Sequence, residues 1–136
     1  MAGYSGTPLP QKLGIKPGQR VLLHAAPDGF ERLLEPLPDR VRLQHNLRSP
    51  GPFDVIVGFV LTQRRLDHDL PRLKQRLAKS GGLWIAWAKK AAGVRTDLTE
   101  AEVRQAGLAQ GLVDNKVCAV DETWSGLRFV YRLADR

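Results

Sequence analysis

A length of 136 residues suits one folded domain, because a single hydrophobic core commonly holds roughly 100 to 200 residues. Apolar residues make up 43% of the chain and charged residues 26%, which excludes an intrinsically disordered protein. The formal net charge of +7 favours anionic partners, although a basic surface without a specific ligand is the more common cause of such a charge. We therefore expect residues 1–136 to form one domain.

The N-terminal residues, MAGYSGTPLP, lack the basic start and apolar stretch of a secretory signal. The longest apolar run, residues 55–61, is far below the ~20 residues that span a bilayer. We therefore expect a cytoplasmic protein with no membrane contact. The one cysteine, Cys118, excludes an intramolecular disulfide and a cysteine-rich zinc site, and we expect it to be a small buried residue.

The first half of the chain predicts three strands and one short helix. Residues 20–25 and 41–47 are apolar or alternating runs bounded by turn residues, and residues 53–61 are almost wholly apolar and β-branched. The last of these runs predicts a central strand covered on both faces. After the first strand, Asp28 and Glu31 have capping-box spacing, which predicts a helix that the following prolines stop.

A leucine stripe predicts the second helix. Leucines recur every three or four residues over 66–77, on the face opposite to a row of Arg and Lys. Because proline is tolerated only in a first turn, Pro71 predicts that the regular helix starts near Asp69 or Leu70. Residues 80–82, Ser-Gly-Gly, are expected to close it.

The C-terminal part predicts a strand, a helix and a hairpin. Residues 83–88 form a second run that is apolar on both faces. Thr99 and Glu102 have capping-box spacing, and the helix that they begin is expected to bury Val103, Ala106 and Leu108 or Ala109. The remaining apolar runs, which a polar turn separates, predict a hairpin with strands at 117–120 and 127–131.

Strands and helices that alternate in this way build a parallel sheet with helices on both faces. The sequence therefore predicts a single α/β, Rossmann-like, mostly parallel sheet with a C-terminal β-hairpin. Ligands of such sheets bind outside the carboxyl ends of the strands. The loops at that edge are residues 26–29, 45–49, 62–65 and 89–93, together with the turn 121–125 if the first hairpin strand is also parallel.

Within these loops we predict a ligand-binding site. The two lysines would attract an anion, the free N–H groups at the start of the first helix would add donors, and an aromatic residue in a loop often marks a contact. Each has a structural alternative: the lysines can be merely solvated, and the aromatic ring can fold back onto the sheet. The predicted residues are Asp28, Gly29, His45, Thr62, Lys89, Lys90 and Trp124.

Two further patterns point to weaker hypotheses. His24 and His45, near the ends of adjacent strands, could share a metal or exchange protons, but no third ligand is evident and we expect no metal. His68, among surface charges, is expected to be inert. The basic face of the second helix could line a phosphate backbone, although a solvated face is the ordinary explanation. Its cations are Arg64, Arg65, Arg72, Lys74, Arg76 and Lys79.

Three segments resemble a family of short bacterial proteins known only as a domain of unknown function. They are SGTPLPQKLGIKPGQRV at 5–21, WIAWAKKAAGVRTDLTE at 84–100 and DNKVCAVDETWSGLRFVYRL at 114–133, in the same order and spacing. The resemblance covers nearly the whole chain. It implies a bacterial protein but no activity.

A more distant resemblance is to class I S-adenosylmethionine (SAM)-dependent methyltransferases. KLGIKPGQRVLL, FDVIVGFV, KSGGLWIAW and the terminal hairpin are similar to successive landmarks of those enzymes. The resemblance implies a glycine-rich turn after the first strand and an acid at the end of the second. The chain has HAAPDG at 24–29 and QHNL at 44–47 instead, and a strand-and-helix unit is missing between Leu47 and Phe53. We therefore expect SAM to bind weakly or not at all.

The usual catalytic motifs are absent: the sequence has no P-loop, HExxH, GxSxG, GxGxxG or paired CxxC. This favours a non-catalytic protein that binds an anionic small molecule or a protein partner at the carboxyl-end crevice. Two alternatives stay open. One is a degenerate or divergent methyltransferase-like enzyme, and the other is non-specific nucleic-acid binding through the second helix.

Overall fold

The computed structural model describes residues 6–136, which form a six-stranded sheet with helices on both faces. The strands are β1 (Arg20–His24), β2 (Arg42–Gln44), β3 (Phe53–Phe59), β4 (Leu77–Ala88), β5 (Leu112–Ala119) and β6 (Trp124–Tyr131). The α-helices are α1 (Leu9–Leu13), α2 (Gln63–Gln75) and α3 (Glu100–Ala109), and 3₁₀ helices lie at Phe30–Leu34, Lys90–Ala92 and Leu133–Asp135.

The strand order is β2-β1-β3-β4-β6-β5. The strands β1 to β4 pair in parallel, whereas β6 is antiparallel to both of its neighbours, β4 and β5. β5 therefore runs in the same direction as β4, and the turn that follows it lies at the carboxyl edge of the parallel strands. This arrangement confirms the predicted Rossmann-like, mostly parallel sheet with a C-terminal hairpin.

Two hydrophobic clusters cover the two faces of the sheet. One contains the leucines of α2 together with Val103 of α3, and the other contains Leu13 of α1 and residues of the 3₁₀ helix Phe30–Leu34. Trp84 and Trp87 point to opposite faces, as their spacing along one strand requires, and each packs in a different cluster. No helix within residues 6–136 is long and apolar enough to cross a bilayer.

The central strand β3 is buried on both faces, as its composition predicts. Gly58 in this strand allows close packing of α2, since a Cβ there would lie 2.7 Å from a methyl carbon of Leu73. The chain passes from β2 to β3 through residues 45–52 alone. The topology thus confirms that the chain lacks a strand-and-helix unit between β2 and β3.

The prediction for the start of α2 was wrong. The helix begins at Gln63, with Thr62 as its N-cap, and Pro71 lies inside it. A proline in a helix interior costs about 3 kcal/mol, chiefly through one lost backbone hydrogen bond and a steric clash. Burial of Leu66 and Leu70, on the inner face of the helix, offsets the cost of the proline. Each buried leucine side chain contributes roughly 1.5 to 3 kcal/mol.

The Ser-Gly-Gly segment 80–82 does not close a helix but lies within β4, which begins at Leu77. Both glycines are needed for close approach rather than for a turn. A Cβ on Gly81 would lie 2.7 Å from the backbone oxygen of Asp54, and one on Gly82 would lie 2.4 Å from Nε of Arg128.

The first predicted helix is only the 3₁₀ helix Phe30–Leu34, and its capping box does not form. Gly29, with φ of 82°, precedes it, and no side chain caps it. The second strand is also shorter than predicted, at three residues. Prolines at positions 36 and 38 leave too little chain for a regular α-helix.

The capping box of α3, between Thr99 and Glu102, is confirmed. The buried face of this helix differs in part from the prediction. Val103 is buried, but Leu108 is 43% exposed, and Gly107 is buried instead. A Cβ on Gly107 would lie 2.0 Å from a ring carbon of Phe129, so the helix packs on that ring where a side chain is absent.

Candidate functional site

The carboxyl ends of the central strands lie side by side. His24 of β1 pairs with Gly58 of β3, which pairs in turn with Ile85 of β4. At the far side, Ala88 pairs with Trp124, and this pairing brings the hairpin turn to the same edge. The loops that follow β1, β3, β4 and β5 therefore lie at the carboxyl edge of the sheet, where the site is predicted.

A histidine and a buried aspartate form the centre of this edge. Asp69 is 2% exposed and is the one buried charged residue among residues 6–136. Its Oδ2 lies 3.0 Å from Nε2 of His24, whose side chain is 14% exposed. Because His24 is the last residue of β1 and Asp69 belongs to α2, the pair joins the sheet to the helix at the point where ligands of such folds bind.

The same carboxylate has two further partners. Nδ1 of His68 lies 2.9 Å from Oδ1 of Asp69, and a guanidinium nitrogen of Arg65 lies 3.4 Å from Oδ2. Burial alone would raise the pKa of Asp69, but hydrogen bonds with His68 and His24 and electrostatic interactions with His24 and Arg65 outweigh burial. The pKa of Asp69 is therefore lowered and the carboxylate is ionised at neutral pH.

The turn after β1 contains a strained residue. Ala25 has φ of 57°, a left-handed conformation that costs a non-glycine residue roughly 1 to 2 kcal/mol. Ala25, Asp28 and Gly29 are exposed. An alanine thus takes a glycine-like backbone conformation directly beside His24, in the turn that the methyltransferase resemblance predicts to be glycine-rich.

His45, the next predicted residue, pairs with a carboxylate of its own. Its Nε2 contacts Oε1 of Glu31, and both side chains are 53% exposed. Glu31 comes from the 3₁₀ helix Phe30–Leu34, so a carboxylate reaches the end of β2 although β2 itself carries none. His24 and His45, considered above as one metal pair, have different carboxylate partners.

Thr62 acts as the N-cap of α2. Its Oγ1 accepts a hydrogen bond from the backbone N–H of Arg65 at 3.1 Å. The carboxylate of Asp97 accepts the next free donor, the N–H of Gln63, at 2.8 Å. Groups of the protein itself therefore occupy two donors at this helix start.

The two lysines have different surroundings. Nζ of Lys89 donates to the backbone oxygen of Asp121 at 2.8 Å, which ties β4 to the hairpin turn. Lys90 is exposed, and its positive charge contributes, after hydrogen bonds from Thr99, to the lowered pKa of Glu102. Of the two, Lys90 has the ammonium that is open to solvent.

Trp124 is a core residue rather than a loop residue. It is 9% exposed and opens β6, where its ring packs edge-on against Phe59 with centroids 5.0 Å apart. Phe30 packs on the other side of Phe59 at 4.9 Å. The alternative considered for Trp124, that its ring folds back onto the sheet, describes this position.

The basic row associated with the second helix is largely engaged within the protein. Arg65 pairs with Asp69, and the guanidinium of Arg76 donates to the backbone oxygens of Leu47, Ser49 and Arg72. Nζ of Lys74 donates to the backbone oxygen of Gln110. Lys79 lies in β4, over the ring of Tyr131 at 4.2 Å. Of the four exposed members of the row, Arg65 and Lys79 thus also contact groups of the protein, which weakens the nucleic-acid hypothesis.

The pairing of His24 with Asp69 was not predicted from the sequence, and His68 was expected to be inert. A signal was present, because Asp69 lies three residues after Leu66 and four before Leu73. These intervals place its carboxylate on the buried leucine stripe rather than on the solvent face. An acid on such a stripe predicts a buried charge with a partner.

Comparisons with known proteins identify the fold. Neither a family model nor a curated protein matches the chain, so the resemblance to the small bacterial family stays a prediction. Solved structures do match. Magnesium protoporphyrin IX methyltransferase from Synechocystis with bound SAM is 12% identical, with 91% of this chain and 74% of that chain covered and a TM-score of 0.62.

Two other solved structures give the same result. A TehB-like SAM-dependent methyltransferase from Corynebacterium glutamicum is 13% identical, with 85% of this chain and 82% of that chain covered and a TM-score of 0.59. DhpI in complex with SAH is 14% identical, with 93% of this chain and 83% of that chain covered and a TM-score of 0.62. The distant resemblance to class I SAM-dependent methyltransferases is thus confirmed at the level of the fold.

Proposed function

We propose that this chain is a divergent methyltransferase-like protein that binds a small anionic molecule at the carboxyl edge of its sheet. In this proposal His24 exchanges a proton with the ligand, and Asp69 holds the imidazole in place. The observation that carries the proposal is the 3.0 Å contact between the buried Asp69 and the partly exposed His24. Buried charges are costly unless they are paired, and they are concentrated at functional sites.

Charge favours an anionic ligand. His24, His68 and Arg65 surround one carboxylate, and Lys90 adds an exposed ammonium after β4. A carboxylate that accepts a hydrogen bond from an imidazole fixes the orientation and the tautomer of the ring. Because Nε2 of His24 contacts Asp69, Nδ1 is the ring nitrogen left for a ligand. General acid–base exchange by histidine is the reaction type that such a pair supports.

The similarity of fold supports the methyltransferase-like alternative better than a purely non-catalytic role. It does not extend to the cofactor turn, where Ala25 and Ala26 stand in place of the glycines that the resemblance implies. The proposal therefore retains the crevice and its position but not tight binding of SAM. A non-catalytic protein that binds its ligand or partner at the same edge is the second candidate.

A thermal-shift screen tests the proposal. The panel contains nucleotides, sugar phosphates, acyl-CoA compounds, SAM and SAH, each with wild type and with His24→Gln. A ligand at about 100 times its dissociation constant adds about 2.7 kcal/mol of stability, which is readily detected. We expect an anionic compound to stabilise wild type but not His24→Gln. A panel in which every stabilising compound acts equally on both proteins would contradict the proposal.

A further inference from the structure

A polar cavity of about 340 Å³ lies at the opposite, amino edge of the sheet, between the segment around α1 and strands β5 and β6. Its lining contains four cations and one carboxylate. The carboxylate, Asp54, accepts a hydrogen bond from the backbone N–H of Arg20 at 2.9 Å. The cations are Lys12, Lys16, Lys116 and Arg128.

The fold brings these cations together from distant parts of the chain. Nε1 of Trp84 donates to the backbone oxygen of Leu13 at 3.0 Å, which fixes α1 against the sheet. Arg128 lies opposite Trp84 on one side and opposite Lys116 on the other. Like charges at directly opposite positions of neighbouring strands repel each other. Nζ of Lys116 donates to the backbone oxygen of Lys12 at 3.3 Å, and an anion bound beside Lys116 and Arg128 would reduce the repulsion between them.

Arg128 itself has no anionic partner within residues 6–136, where its one side-chain hydrogen bond is to Oδ1 of Asn115 at 3.3 Å. The side chain is half-buried. Burial, and then the positive charge of Arg136, lower the pKa of this guanidinium from its usual value. A partly desolvated cation without a carboxylate is unfavourable, and a bound anion would relieve that cost.

The backbone beside the guanidinium is shaped to receive it. A Cβ on Gly82 would lie 2.4 Å from Nε and 2.7 Å from Cζ of Arg128. The glycine thus leaves the space in which the guanidinium lies. Such positioning suits Arg for two parallel hydrogen bonds to an oxyanion.

We propose that this amino-edge cavity binds the phosphate groups of a small phosphorylated molecule, with Arg128 as the principal contact and Lys16 and Lys116 beside it. Several cations around one cavity favour a ligand with more than one negative charge. The amide groups of Gln19 and Asn115 and the hydroxyl of Ser80 add neutral hydrogen-bonding groups. The volume falls in the range of small-molecule sites. This site is separate from the carboxyl-edge site, and neither proposal depends on the other.

Calorimetric titration with pyrophosphate and with ADP tests the site. Arg128→Gln should weaken binding about tenfold, since charged hydrogen bonds contribute at least that much. Lys16→Gln and Lys116→Gln, both at exposed residues, should weaken binding by a smaller factor and keep the test valid if Arg128→Gln fails to fold. The control Arg64→Gln removes the same charge from an exposed position of α2 and should leave affinity unchanged.

Gly82→Ala provides a test that keeps every charge. The new methyl group must displace the guanidinium of Arg128, which can move because it ends a flexible side chain. We expect binding to weaken about tenfold while the midpoint of thermal unfolding changes little. Equal losses in Arg64→Gln and Arg128→Gln, or no binding of either probe, would overturn the proposal. Tighter binding of a short RNA that is insensitive to Arg128→Gln would overturn it as well.

Discussion

Nε2 of His24 lies 3.0 Å from Oδ2 of Asp69, and this contact joins the carboxyl end of β1 to α2. The carboxylate is buried, whereas the imidazole is partly exposed at the carboxyl edge of the sheet. A group inside the core thus controls the orientation of a group at the surface. The contact gives stability and places an ionisable side chain beside the turn that follows β1.

Asp69→Asn should lower the free energy of unfolding by about 2 kcal/mol at neutral pH, because the buried carboxylate serves several donors. The pKa of Asp69 is lowered in the folded protein. Its contribution is therefore complete above the unfolded-state value of about 4 and is lost as pH falls through the lower folded value. Urea unfolding of both proteins, from about pH 7 down to about pH 2, measures the effect.

The control for this experiment is Asp67→Asn, on the exposed face of the same helix. It should change stability by less than about 0.5 kcal/mol. The account requires that the difference between wild type and Asp69→Asn shrink in acid. A difference that stays constant over the whole pH range would mean that ionisation of Asp69 contributes nothing.

Thr62→Ala should cost about 1 kcal/mol of stability through loss of the N-cap of α2. Thr62→Ser, which keeps the hydroxyl, should restore most of it. Chemical denaturation gives both values. Because Oγ1 of Thr62 accepts from the backbone N–H of Arg65 rather than contacting a ligand, the stabilising effect of any ligand at the carboxyl edge should be unchanged in Thr62→Ala. Loss of that stabilising effect would mean that Thr62 contacts the ligand.

Lys89→Met and Lys90→Met should separate the structural lysine from the exposed one. Lys89 holds the backbone oxygen of Asp121, so its replacement should lower stability by about 1 kcal/mol. Lys90→Met should leave stability within about 0.5 kcal/mol of wild type and weaken anion binding at the carboxyl edge. Thermal unfolding and calorimetry distinguish the two, and the reverse pattern would assign the roles the other way round.

Much of the fold could be predicted because alternating apolar runs and turn residues determine the order of elements. Local errors arose where tertiary contacts outweigh a local preference. Pro71 lies inside α2 because the leucine stripe on both sides is buried, and residues 80–82 stay in β4 because Asp54 and Arg128 approach their backbone closely. Neither contact has a signal within the local sequence.

The candidate site was less predictable because its position follows from topology but its partners do not. The strand ends indicate which loops lie at the carboxyl edge, and the strand order agrees with them. The partner of His24 is 45 residues away in the chain, and the partner of His45 lies in the preceding 3₁₀ helix. Trp124 follows a polar turn, yet its ring packs on Phe59. Long-range side-chain contacts of this kind require the folded structure.

SAM should bind with a dissociation constant weaker than the micromolar range. Ala25 and Ala26 replace the glycines that the methyltransferase resemblance implies, and β2 ends without an acid of its own. The carboxylate of Glu31 reaches the end of β2 but is paired with His45. Calorimetry with SAM and SAH checks the prediction, and a micromolar constant for either would contradict it.

The central claim is that His24 binds a ligand and exchanges a proton with it. The most direct measurement is a calorimetric titration of the compounds that stabilise both wild type and Arg128→Gln, in two buffers of different ionisation enthalpy. Wild type, His24→Gln and Arg128→Gln are compared in parallel. The account predicts buffer-dependent heats, and thus proton transfer on binding, in wild type and Arg128→Gln, with binding lost in His24→Gln. Equal affinity and equal proton transfer in His24→Gln would contradict it.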